Sequence, residues 1–158
     1  MADVSSFPDY TLQDPKTPVA ATMWSSERFE TTTVGKWRDL PGAEIAWNTD
    51  KLNNFSGGLV VATFTAETLI AGPAGAVGLL DITIGGQKGH PQSDNHRFAT
   101  KKSDEEWGSV TTMRAMRFPY DESAVRDATV KVIVNLAAGT SFGLQNWLLK
   151  MDVHPISY

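Results

Sequence analysis

The chain has 158 residues, a formal net charge of −4 and no cysteine. A chain of this length forms about one domain, whose core can be buried without disulfide bonds. The lack of cysteine excludes thiol redox chemistry and thiolate metal sites. The 14 Lys and Arg residues are scattered, so a phosphate backbone would meet no concentrated basic surface. We therefore expect one domain that does not bind nucleic acid.

Residues 1–18 differ in composition from the rest of the chain. They contain Pro8, Pro15 and Pro18 with three aspartates and little hydrophobic periodicity, which is typical of an extended arm. The segment has neither the basic start nor the apolar centre of a secretory signal. No apolar run in the chain approaches the roughly 20 residues of a membrane helix. The sequence predicts an N-terminal arm over residues 1–18, a folded domain over residues 19–158, and no membrane partner.

Beyond the arm, apolar and polar residues alternate between turn residues, a pattern that predicts antiparallel strands. The clearest strands are predicted over residues 57–66, 77–84, 129–137 and 142–153, and weaker ones over 23–33, 43–48, 96–100 and 109–118. A turn is predicted at Gly85-Gly86, where positive φ costs little. The expected fold class is all-β: a two-sheet antiparallel sandwich of about eight strands, with the jelly roll as its topology.

Two of these strands are apolar on both sides. In segment 57–66, Leu59 and Val61 face away from Val60, Ala62 and Phe64. In segment 142–153, the alternation predicts one face with Trp147, Leu149, Met151 and Val153, and an opposite face that Leu144 and Leu148 share with polar residues. Strands of this kind are typical of a sheet that is covered on both sides.

The best chemical cluster lies in the third quarter of the chain. His90, Asp94 and His96 place two imidazoles and a carboxylate within seven residues, a set that would ligate zinc or nickel if a loop made them converge. The alternative is a polar connection between strands. A loop calcium site is the second metal hypothesis, because Asp50, Asn53 and Asn54 lie together.

No catalytic motif stands out. The glycine pattern of a nucleophile elbow surrounds none of the serines, and Gly85 to Gly89 lacks the strand-to-helix context of a phosphate loop. We therefore predict no catalytic residues, no cofactor and no enzymatic activity.

The five tryptophans are more than a core of this size usually needs, so we expect some of them to be exposed. An exposed indole stacks on sugar rings or anchors a protein interface. Trp24 and Trp107 are the two candidates, and with His90, Asp94 and His96 they complete the set of candidate ligand or interface residues.

Several short motifs resemble a family of short β-sandwich proteins of actinobacteria and their phages, of the C1q or tumour-necrosis-factor jelly-roll type. The motifs are Trp37-Arg-Asp-Leu-Pro-Gly42, Phe64-Thr-Ala-Glu67, Asp81 before a glycine turn, Trp107, Ala138-Gly139 and Phe142-Gly-Leu-Gln-Asn-Trp147. The resemblance covers roughly residues 33–154. It implies a jelly roll that assembles as a threefold-symmetric homotrimer, and it implies no catalytic residues.

The resemblance also suggests a role. Secreted proteins of this type often carry cysteines and a signal peptide, which this chain lacks. A non-enzymatic virion protein, assembled in the host cytoplasm as a phage tail module or capsid decoration, fits better, and its arm would bind other virion proteins. The alternative is a carbohydrate-binding or receptor-binding lectin-like module whose tryptophans hold a glycan.

Overall fold

A computed structural model of the chain describes residues 20–32, 35–48, 57–73, 76–93, 98–100, 107–119 and 127–156. The predicted arm lies outside these ranges, and so do Asp94, His96 and the candidate calcium residues Asp50, Asn53 and Asn54. Every regular element in the described ranges is a β-strand. None of those residues forms a helix that is long and apolar enough to cross a membrane.

The described strands follow the predicted segments closely. They are β1 Ala20–Ser25, β2 Phe29–Thr31, β3 Arg38–Asn48, β4 Gly57–Ala71, β5 Val77–Ile84, β6 Gln87–Lys88, β7 Phe98–Thr100, β8 Gly108–Pro119, β9 Asp127–Leu136 and β10 Ser141–Ile156. The predicted segment 23–33 is divided into β1 and β2, and β4 extends five residues beyond the predicted end at residue 66. Gly85 and Gly86 form the predicted turn, with φ of 60° and 79°.

The strands form two antiparallel sheets. Sheet A has the order β1-β10-β4-β8, with β2 also beside β10, and sheet B has the order β3-β9-β5-β6, with β7 also beside β5. Omitting β2 and counting β6 and β7 as one strand leaves eight strands, which we renumber 1 to 8 in chain order. The strand orders are then 1-8-3-6 in sheet A and 2-7-4-5 in sheet B. This is the jelly-roll order, so the predicted fold class and topology are confirmed.

The core lies between the sheets and is built by alternate residues. On β4, Val60, Ala62 and Phe64 are fully buried. The same period of two buries the predicted inward faces of β5 and β9: Leu80, Ile82, Ile84, Val130, Val132, Val134 and Leu136. Alternation places every second side chain on one side of a strand, so these faces were readable from the sequence alone.

The prediction for Leu144 is wrong, because β10 contains a β-bulge. Gln145 pairs with Glu67 and Leu148 pairs with Thr65, so β10 has one residue more than β4 over this stretch. Asn146 lies in the bulge with φ of 47°. Before the bulge Phe142 and Leu144 face the core, and after it the core-facing set begins at Trp147. Leu148 does face outward, as predicted.

A buried ion pair joins sheet A to the edge of sheet B. Arg114 on β8 donates from Nε to Oδ1 of Asp81 on β5 over 2.9 Å, and both side chains are 2% exposed or less. Asp81 lies between the stretch of β5 that pairs with β7 and the stretch that pairs with β6. The Nη2 atom of Arg114 is buried and has no hydrogen-bond partner among the described residues. One carboxylate therefore carries most of the compensation for this buried cation.

The chain itself closes the sandwich beside this ion pair. After β6, Gly89 lies so close to Arg114 that a Cβ atom on the glycine would stand 2.6 Å from the arginine Cβ. His90 then exchanges two backbone hydrogen bonds with Ala115 of β8, of 2.7 and 2.8 Å. A segment that follows sheet B thus pairs with the edge strand of sheet A.

The ion pair makes a testable contribution to stability. Asp81→Ala leaves the Arg114 cation buried without its partner, so we expect the free energy of unfolding to fall by about 3–5 kcal/mol. Asp39→Ala is the matched control, because Asp39 is 63% exposed and pairs with Lys131 at 3.2 Å. Its loss should cost less than about 1 kcal/mol. Urea denaturation measures both.

The double variant Asp81→Leu, Arg114→Met separates the ion pair from packing. Replacing both charges with apolar side chains removes the uncompensated cation, so this variant should be more stable than Asp81→Ala alone. Equal small losses for Asp81→Ala and Asp39→Ala would contradict this account of the interior.

Candidate functional site

Exposed large apolar side chains gather on the outer face of sheet A. In the described part of the chain such residues are Met23, Trp24, Leu59, Met113 and Leu148. All except Met23 lie on this outer face, because they alternate with the core residues of their strands. Met23 pairs with the buried Leu149 and so faces the core side at the sheet edge. We call the outer face of sheet A the open face.

Strand pairing divides the open face into two regions. The first contains Trp24, Leu59, Val61, Met113 and Leu148, which the ladder places in successive rows across β1, β10, β4 and β8. Trp24 is 74% exposed and Met113 56%. Threonines fill the gaps between them, and Thr111 donates a hydroxyl hydrogen bond of 3.3 Å to Thr65. We call this region the apolar half.

The second region, the polar half, begins at the bulge of β10. Its members are Arg28, Glu30, Glu67, Trp107, Ser109, Gln145 and Asn146. Oε2 of Glu67 accepts hydrogen bonds from Nε2 of Gln145 at 3.0 Å and from Nδ2 of Asn146 at 2.8 Å. These two bonds, that of Gln145 foremost, hold the pKa of Glu67 below its ordinary value, because they stabilise the ionised carboxylate.

Trp107 lies over the polar half, and its ring already packs against neighbouring residues of this surface. Its ring edge is 3.4 Å from the position of a Cβ atom on Gly143, so the missing side chain of this glycine leaves room for the indole. The guanidinium of Arg28 lies 5.2 Å from the ring centroid and is also paired with Glu30. A cation this close to an aromatic face is attracted to it. Trp107 is therefore part of the surface's own packing.

Trp24 is the free indole. It protrudes from the edge strand β1 opposite Leu148. No ring contact and no side-chain hydrogen bond joins it to the residues that the structure describes. An exposed indole of this kind offers a flat apolar surface and one N–H donor to a partner.

The structure brings three of the five predicted site residues to one face. Trp24 and Trp107 both lie on the open face, in rows that are four residues of β4, or about 13 Å, apart along the strand direction. His90 is exposed, and its pairing with Ala115 places it at the β8 edge of the same face. Asp94 and His96 lie outside the described ranges. Within those ranges no three His, Asp or Glu side chains gather as metal ligands, so the zinc or nickel site stays a prediction.

The outer face of sheet B has a different character. The ring of Trp37 lies 4.7 Å from the ammonium of Lys88. Lys131 pairs with Asp39 at 3.2 Å and with Glu44 at 3.6 Å, and the hydrogen bond that Lys131 donates to Asp39 raises the pKa of Lys131 above its ordinary value. The exposed large apolar side chains of the described residues are all elsewhere. This face is therefore a solvated, charge-paired surface, and the open face is the better candidate for binding.

Sequence reasoning did not include Met113, Gln145 and Asn146 among the candidate site residues. Met113 had a signal, since alternation in segment 109–118 places it on the side of Thr111 and Ala115. The amides of Gln145 and Asn146 had a weaker signal in the sequence. Apolar residues at 142 and 144 are followed by one at 147 instead of 146, and this shift in the alternation indicates an inserted residue.

Comparison with known proteins gives no family for this chain. No protein-family model and no curated protein matches it. Among solved structures, the sugar-binding C-terminal domain of EclA is 15% identical with a TM-score of 0.41, and the match covers 79% of this chain and 78% of that one. Eiger TNF from S. frugiperda is 10% identical, with a TM-score of 0.37 and coverage of 89% and 94%.

A third match is the native virion of Kashmir bee virus at neutral pH, at 11% identity, a TM-score of 0.28 and coverage of 87% and 74%. At these values no function passes from any of the three proteins to this chain. The functional case rests on the residues of the open face.

The hydrogen bonds to Glu67 can be tested by titration. Gln145→Ala removes the larger cause of the lowered pKa, so the pKa of Glu67 should rise toward its ordinary value, as followed by NMR of the side-chain carboxyl carbon. The pKa of Glu67 is lower in the folded protein than in the unfolded chain, so the network stabilises the fold at pH values above the pKa of the unfolded chain. This stabilisation is lost as the pH falls through the pKa of Glu67 in the folded protein. Thr111→Ala leaves both amides in place, so the pKa of Glu67 should not change in this control variant. An unchanged midpoint in Gln145→Ala would show that these bonds do not form in solution.

Proposed function

We propose that this protein is a non-enzymatic assembly module that acts through protein contacts made by its open face and its N-terminal arm. The observation that carries the proposal is the apolar half, where Trp24, Met113, Leu59 and Leu148 are all exposed on one face of sheet A. Contiguous exposed apolar surface of this kind marks an interaction site in soluble proteins. No catalytic motif in the sequence favours an enzyme instead.

The partner proposed for the apolar half is a further copy of the same chain. On this half Lys150 pairs with Asp152 at 3.1 Å, so these two charges compensate each other and do not oppose the approach of a second copy. A closed symmetric assembly buries the same patch on every copy. The resemblance to C1q and tumour-necrosis-factor jelly rolls supports a homotrimer, and the two-sided apolarity of β4 and β10 supports burial of sheet A.

The proposed setting is a virion, with assembly in the host cytoplasm, as a phage tail-associated or capsid decoration module. The resemblance in sequence supports this setting, together with a cysteine-free chain that needs no oxidising compartment to fold. The acidic, proline-containing arm of residues 1–18 is proposed to bind other virion proteins.

The alternative is a carbohydrate-binding or receptor-binding lectin-like module. The specific observation in its favour is the free indole of Trp24 beside the amides and carboxylate of the polar half. This function is compatible with assembly, because the two would share only Trp24, on the edge strand β1.

Light scattering of the Met113→Glu variant tests self-association. A carboxylate at this position would be buried without a partner in the assembly, where an unpaired charge is strongly unfavourable, but would be solvated in a single chain. We expect wild-type protein to have three times the mass of one chain and the variant to dissociate toward the monomer.

Ala46→Glu is the matched control. Ala46 is an exposed strand residue on the outer face of sheet B, so the same charge there should leave the mass unchanged. Wild-type protein that is a monomer at all concentrations would refute self-association through the open face.

Removal of residues 1–18 tests the separate role of the arm. The residues of the apolar half lie between Trp24 and Leu148, so the truncated protein should keep the mass of the full chain. Its attachment to virions, measured by co-sedimentation, should be lost. Dissociation of the truncated protein would instead assign the arm to the contact between copies.

A further inference from the structure

We infer that the polar half, together with Trp24, forms a binding site for a neutral sugar. This site goes beyond the proposed assembly function, because it lies at the bulge of β10 and shares with the apolar half only Trp24, which stands on the edge strand β1. The inference rests on one exposed indole and one hydrogen-bonding network next to it.

Trp24 supplies the apolar surface. Its ring is 74% exposed, in contrast to the ring of Trp107, which Arg28 already covers. Trp24 pairs with Leu148, and Asn146 lies in the bulge two positions before Leu148. Two positions along a strand and one strand across separate the two backbones by about 8 Å, a gap that one sugar ring with its hydroxyls can span. The C–H face of a pyranose stacking on the indole would direct its hydroxyls toward the bulge.

The network at the bulge has the hydrogen-bonding groups that hydroxyls require. Only Oε2 of Glu67 takes part in the bonds from Gln145 and Asn146. Among the described residues, no further side-chain hydrogen bond involves Oε1 of Glu67 or the amide oxygens of Gln145 and Asn146. A sugar hydroxyl donates and accepts at once, so neighbouring hydroxyls can pair with a carboxylate and an amide side by side.

The network is held in position before any ligand arrives. Glu67 and Gln145 are paired residues of the two central strands of sheet A, and the φ of Asn146 is set by the bulge. Side chains that already bond to each other lose little freedom when a ligand adds to them. This is the arrangement expected of a site and is unlike isolated polar residues on a sheet.

Charge selects a neutral sugar over an acidic one. The free oxygen of Glu67 belongs to an ionised carboxylate, and the cation of Arg28 is taken up by Glu30 and by the ring of Trp107. The chain as a whole carries −4. A sialic or uronic acid would bring a second negative charge beside this carboxylate, and the outward-facing Lys150 near Trp24 is already paired with Asp152 at 3.1 Å.

An array of neutral and sialylated oligosaccharides, followed by calorimetry with the best neutral probe, tests the site. Trp24→Ala should weaken binding about tenfold or more through loss of stacking. Asn146→Gly removes the amide while keeping a residue that tolerates positive φ, and should weaken binding about fivefold. Trp37→Ala, a tryptophan deletion on the outer face of sheet B, should leave affinity unchanged.

Light scattering on the same variants keeps the two proposals apart. The Asn146→Gly variant should lose sugar affinity and remain assembled, whereas the Met113→Glu variant should dissociate toward the monomer and still bind sugar. Absence of any neutral-sugar signal with wild-type protein would overturn the site, as would preference for sialylated probes or binding that survives Trp24→Ala. None of these results bears on self-association.

Discussion

The inserted residue at Asn146 is the constraint on which both faces of sheet A depend. The two longest described strands, β4 and β10, pair along almost their entire lengths, and this bulge is the irregularity in their ladder. By changing the phase of β10, it lets Leu144 and Trp147 both reach the core, although they are three positions apart along the chain. An uninterrupted strand would place one of the two in solvent.

The same insertion determines what lies outside. It turns the amides of Gln145 and Asn146 toward Glu67 on the outer face, and after it Leu148 and Lys150 face outward in place of core residues. Asn is well suited to the position, because it adopts positive φ more readily than most residues. Core packing, the polar half and the apolar half are therefore consequences of one local backbone choice, which explains why polar and apolar surface meet abruptly on a single sheet.

The regular parts of the fold could be predicted from the sequence because they follow a strict period of two. Residues such as Val60 and Val132 reveal their direction by their neighbours alone. The bulge changed the period within one strand, so Leu144 was placed on the wrong face. The pair of Asp81 and Arg114 could not be predicted, since 33 positions separate the two residues and only the packing of the sheets brings them together. For the candidate site, Trp24 and Trp107 were identified by residue type, but their different surroundings depend on Arg28 and Gly143, which only the structure relates to them.

Hydroxyl-radical footprinting of the native protein tests most directly whether copies cover the open face. In a single chain Met113 is 56% exposed and Met23 is 39% exposed, so oxidation governed by these values would be faster at Met113. If the apolar half is buried between copies, Met113 should be oxidised more slowly than Met23. Faster oxidation of Met113, in the order of the single-chain exposures, would contradict the assembly through this face.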